Sequence, residues 1–80
     1  MTVNLNDLNS GESAYLDSID REYFSESIVH DLLDYGLIPG TLIRIIHKLP
    51  GQKKITIAVG PAEIVLREES ANHIKVRKEI

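Results

Sequence analysis

The sequence predicts a mostly β domain: a small, partly open barrel of about five strands with one α-helix inserted after the first strand. Three observations carry this. The apolar spacing is helical only between Ser25 and Tyr35, and it switches to a period of two from Thr41 onward. Turn formers then cut the second half into short segments, at Leu49-Pro50-Gly51-Gln52 and at Gly60-Pro61. Finally, 80 residues make a single domain, 1–80. A chain this short buries only about 60 % of its unfolded surface, so all its elements must share one core.

The elements follow in order. Leu5 to Gly11 reads as a lead-in and turn, because Asn9, Ser10 and Gly11 cluster as turn formers. Ala14 to Ile19 is the first strand. In the helix, Ser25 is placed to cap the first turn, and Phe24 and Val29 are spaced to form a hydrophobic staple. Ile28, Val29, Leu32, Leu33 and Tyr35 make its buried stripe, with Ser27, His30, Asp31 and Asp34 opposite. Gly36 supplies a left-handed terminus, after which Leu37 can fold back on Leu32.

The strand after Pro39-Gly40 places Ile43 and Ile45 on one face and Leu42, Arg44, Ile46 and Lys48 on the other. Ile55, Ile57 and Val59 form the returning strand, and Ile64 and Leu66 mark the next. One helical turn at Glu68 to Asn72 leads to a last strand at Ile74 and Val76. Five strands around one core with an inserted helix fit an SH3-like barrel best, and an OB-like barrel next.

Composition excludes several function classes. With no cysteine, the chain has no disulfide, thiolate chemistry or cysteine-based metal site, which fits the cytosol. No basic stretch followed by an apolar run marks a signal peptide, and no apolar run approaches a membrane span. Charge is unevenly spread. Residues 1–40 hold eight acids against Arg21 alone, a charge of −7, whereas residues 41–80 hold eight bases against four acids, a charge of +4. The net −3 disfavours nucleic acid as a partner. Attraction between the two halves is the simpler use of the asymmetry.

The pattern Leu8-x-x-Gly11-Glu12, followed by Leu32-x-x-x-Gly36-Leu37-x-Pro39-Gly40-Thr41-x-Ile43-x-Ile45, resembles the ferrous iron transport protein A (FeoA) family. Ile64-Val65-Leu66-Arg67 and Ala71-x-x-Ile74-x-Val76 resemble the family's ending, so the similarity runs along nearly the whole chain. The resemblance implies an SH3-like fold and a cytoplasmic accessory role in ferrous iron uptake. It implies as partner the FeoB-type membrane permease, which carries a GTP-binding domain and would recruit the chain to the inner face of the membrane. A similar barrel forms the C-terminal domain of some iron-dependent repressors, but this chain lacks their helix-turn-helix portion. Two segments depart from the family pattern: Ser27 to His30, where basic residues are usual, and Lys48 to Lys53, where the usual Ala-Pro-Leu-Gly-Asp-Pro type loop is replaced.

No catalytic set emerges. The serines have no His and acid arrangement that spacing supports, and the glycines are isolated turn residues without a phosphate-cradling lysine. The chain is therefore expected to be neither an enzyme nor a GTP binder, with no cofactor beyond a weak ferrous iron association. His30 and Asp34, at i,i+4 on one helix, are the weak metal candidates, although two ligands rarely suffice. A metal-sensing or metal-delivering module using them is the alternative to an adaptor, as is a stand-alone barrel related to iron-dependent repressors. Proline-peptide capture is disfavoured, because there is no Trp and because Phe24 and Tyr35 are assigned to the core. The apolar second face at Leu42, Ile46 and Val65 is expected to be covered by the helix. The hairpin tip, with Leu49 and Pro50 rimmed by Lys48, Lys53 and Lys54, has the composition of a small partner-binding site.

Overall fold

The computed structural model describes residues 1–78, apart from the Pro50 side chain. Six strands form one antiparallel sheet: β1 (Thr2–Asn4), β2 (Ser13–Ile19), β3 (Leu42–Leu49), β4 (Lys54–Val59), β5 (Ala62–Arg67) and β6 (Ile74–Arg77). Helix α1 (Glu26–Asp34) lies between β2 and β3 in sequence, and the single turn α2 (Glu68–Ala71) lies between β5 and β6. The strand order is β1-β6-β2-β3-β4-β5, so β1 and β5 are edges and the curl stays open. This is the expected partly open barrel, with one strand more than the spacing showed. That strand, β1, is only three residues long and pairs with β6, from Thr2 opposite Arg77 to Asn4 opposite Lys75.

The core follows the period-two pattern. Ile43 and Ile45 of β3, Ile55, Ile57 and Val59 of β4, and Ile74 and Val76 of β6 are all buried. Leu5, Leu8 and Ala71 are fully buried as well, so the 3-10 turn Leu5–Asp7 and α2 complete the core beside the strands. Gly11 and Glu12 fasten this lead-in to β3: the Gly11 amide donates to the Ile45 carbonyl (2.8 Å), and the Ile45 amide donates to the Glu12 carbonyl (2.9 Å).

Helix α1 begins and ends as its sequence specifies. The Ser25 hydroxyl accepts the Ile28 amide at 3.3 Å. At the other end the Leu37 amide donates to the Leu32 carbonyl (3.0 Å) and the Gly36 amide to the Leu33 carbonyl (2.9 Å), with Gly36 at φ +102°. Ile38-Pro39-Gly40-Thr41 then makes a turn closed by the Thr41 amide on the Ile38 carbonyl (3.0 Å). Proline supplies the fixed φ of its second position and Gly40, at φ +94°, the left-handed third. The turn is pinned to β2, because the Gly40 amide donates to the Leu16 carbonyl (2.7 Å) and the Leu16 amide to the Thr41 carbonyl (2.8 Å). The Gly-Leu-x-Pro-Gly-Thr junction is thus a device for returning the chain from α1 to the sheet.

Two expectations about packing are corrected. The buried stripe of α1 is narrower than its spacing suggested: Val29 and Leu32 are buried and Leu33 is half-buried, but Ile28 and Tyr35 are exposed. Helix α1 also leaves two of the three apolar residues of the second face in water, with Leu42 49 % and Val65 59 % exposed, whereas Ile46, at a β-bulge, is half-buried. A helix of nine residues makes only about two and a half turns, and of its side chains only Val29 and Leu32 join the buried core.

Candidate partner-binding site

The hairpin of β3 and β4 is the part of the fold on which the sequence placed its binding residues. A bulge decides how they are arranged. Ile45 lies opposite Ile57, but His47 lies opposite Thr56, so β3 carries one extra residue at Ile46. The extra residue turns every later side chain to the other face. Lys48, counted with the outward Leu42 and Arg44 in strict alternation, therefore lies opposite the buried Ile55. Its ammonium group donates to the carbonyls of Asn6 (2.8 Å) and Leu8 (3.2 Å), tying the lead-in segment to the sheet. Of the predicted rim, Lys48 is committed to structure.

The remaining residues stay at the tip. Leu49 is half-buried and pairs with Lys54 across the hairpin. Pro50 begins the 3-10 turn Pro50–Gln52, and its side chain lies outside the described set. Lys53 and Lys54 are exposed, and Lys53 takes the left-handed backbone conformation at φ 54°. The Glu68 amide donates to the Lys53 carbonyl at 2.9 Å, which sets α2 against the tip.

This contact builds a site that the hairpin alone does not show. Gln52, Lys53 and Lys54 face Arg67, Glu68, Glu69 and Asn72 across a polar cleft of 660 Å³. Arg67 joins the lysines because Gly60-Pro61 is a two-residue turn, which places Lys54 directly opposite Arg67 on β5. That register was available from the turn. The neighbouring Glu68 and Glu69 were not assigned to the tip, and they give the cleft three cations and two carboxylates.

The other candidates are spread over the surface. His30 and Asp34 are both exposed on α1. Among the described residues, no group of three His, Asp or Glu side chains gathers to hold a metal ion. Phe24 is buried, as its staple position required, and Tyr23 packs edge-on against it at 4.9 Å. Tyr35 is 57 % exposed, so its assignment to the core does not hold. His73 stacks on Tyr23 (3.7 Å between ring centres), and its Nδ1 lies 3.1 Å from Asp20 Oδ2, a cluster that no sequence spacing joined. The hydrogen bond from His73, with a second from the Glu22 amide, holds the Asp20 carboxyl below the usual carboxylate range.

The Asp17–Arg77 and Glu12–Lys78 ion pairs each join an acid of the first half to a base of the second, and the Asp20–His73 contact likewise joins the two halves. No helix among these residues is long and apolar enough to cross a membrane.

Comparison with known proteins settles the family. The FeoA domain model matches residues 3–78. The chain belongs to the FeoA domain family. No curated protein matches it in sequence. A crystal structure of an iron uptake regulatory protein, FeoA, is 25 % identical with a TM-score of 0.81, over 99 % of this chain and 100 % of that one. The FeoA of Stenotrophomonas maltophilia, solved with zinc and described as an SH3 domain protein, is 27 % identical with a TM-score of 0.77, over 95 % of this chain and 88 % of that one. A manganese-dependent transcriptional repressor bound to manganese has a TM-score of 0.86 at 15 % identity, over 98 % of this FeoA domain and 37 % of the repressor. That last likeness is one of fold alone. The SH3-like barrel is therefore shared by FeoA proteins and by one portion of a metal-dependent repressor.

Proposed function

We propose that this FeoA domain is a cytoplasmic accessory protein of ferrous iron uptake, acting by contact with a FeoB-type membrane permease through the end of its β3–β4 hairpin. The observation that carries the reading is the joint exposure of Lys53 and Lys54 beside Arg67, with half-buried Leu49 at the tip of the same hairpin. An apolar residue within a charged rim is the usual composition of a small protein interface. Lys48 supports the hairpin from inside, and Pro50 belongs to the turn that presents the lysines. Contact with the permease would hold the chain at the inner face of the membrane.

The test is co-purification with the permease's cytosolic portion. Wild-type protein is expected to be retained and Lys53→Glu/Lys54→Glu lost, while both unfold at nearly the same temperature, because surface substitutions of this kind usually shift stability by no more than about 0.5 kcal/mol. Retention of the double variant at the wild-type level would overturn the reading.

A further inference from the structure

The free edge of β5 is accompanied by a second surface feature, which shares no residue with the hairpin cleft. A groove of 380 Å³ runs between β5 and α1. Its sides carry Ile28 (42 % exposed) and Tyr35 (57 %) from α1 and Val65 (59 %) from β5. These three are among the few large apolar side chains left in water, and they line one groove rather than being scattered. The polar residues of the groove are Asp31 on α1 and Glu63 on β5, and among the described residues no Lys or Arg lines it. Helix α1 adds Glu26 and Asp34 and likewise has no Lys or Arg.

From this we infer that the groove takes an extended, basic and apolar peptide segment of another protein, added as a strand to β5. Three features select that occupant. Among the described residues β5 pairs on one side only, with β4, so its outer backbone groups have no strand partner there and can template an incoming chain. The exposed apolar side chains offer cover for the alternate residues of a strand, which all project to one side. The carboxylates of Asp31 and Glu63 oppose an acidic segment and attract Lys or Arg beside the apolar contacts. A second copy of this chain is the poorer occupant, because it would bring another Asp31 and Glu63 to the same groove. The chain's own alternating basic strand, β6, is already paired on both sides, by β1 and β2.

The test uses a synthetic hexapeptide alternating valine with Lys or Arg, blocked at both ends, and a counterpart with Glu at every basic position. Binding is followed by amide NMR shifts and hydrogen exchange on the full chain. The basic peptide is expected to bind at least tenfold more tightly than the acidic one. Its shifts should fall on α1 and β5, and it should slow amide exchange within Ala62–Arg67. Asp31→Lys/Glu63→Lys should weaken it at least tenfold, and Tyr35→Ala, which removes only an exposed ring, at least threefold. Lys53→Glu/Lys54→Glu should bind it as wild type does, so that failure here leaves the hairpin reading standing. Equal binding of the two peptides, no binding of the basic one, shifts centred elsewhere, or self-association along β5 would each overturn the inference.

Discussion

At the scale of single residues, Gly36 and Lys48 show how local chemistry fixes the fold. Gly36 sits at φ +102°, and a Cβ there would meet Val59 Cγ1 at 3.4 Å. Gly36→Ala is therefore expected to cost at least 1–2 kcal/mol, about the left-handed penalty for an L-residue, read as a lower urea midpoint. Lys48 is the more instructive case. Its ammonium group satisfies two carbonyls of the lead-in. Lys48→Met keeps the stem but orphans both, at a cost of about 1–3 kcal/mol. A Lys48→Met protein as stable as wild type would contradict that role. In the sequence Lys48 looked like one more rim cation. Nothing in strict alternation betrays the bulge, except the doubled Ile45-Ile46, which puts two apolar residues where one face should be polar.

At the scale of elements, legibility followed the range of the interactions. Helix α1 was readable because its cap, staple and glycine terminus all lie within a few residues of it. The β4–β5 register was readable because a two-residue turn sets it. Strand β1 was not, since three residues show no period and its partner, β6, is some seventy positions away in the chain. The width of the helix stripe was equally hidden. Ile28 and Tyr35 have the spacing of core residues, and only the placement of α1 beside the edge of β5 leaves them in water. The cap itself is testable: Ser25→Ala is expected to destabilise the protein by about 1 kcal/mol, measured by urea unfolding.

At the scale of the whole molecule, the charge asymmetry of the two halves is spent partly on pairing and partly on surface. The Asp17–Arg77 and Glu12–Lys78 pairs are partly open to water, so screening keeps their contribution to stability small. Their pH dependence has a definite sign. The Glu12 carboxyl is held below its usual range, chiefly by the Asn9 amide at 2.6 Å and then by Lys78, and Asp20 by His73 and the Glu22 amide. A carboxyl depressed in the folded state adds stability that is complete above the unfolded value, about 4, and is lost as pH falls through the folded one. Urea midpoints should therefore fall as the pH drops below about 4, and more gently in Glu12→Gln/Asp20→Asn than in wild type. Equal slopes would contradict the assignment.

Two surface features then stand apart: the hairpin end, where Lys53, Lys54 and Arg67 lie beside Glu68 and Glu69, and the carboxylates along α1. The partner-binding claim rests on the first of these. Amide NMR shifts of the full chain, followed as the permease's cytosolic portion is added, test it most directly. The account predicts that the largest shifts fall on Gln52, Lys53, Lys54 and Arg67. Shifts confined to other parts of the surface, or none at all at saturating partner, would contradict it.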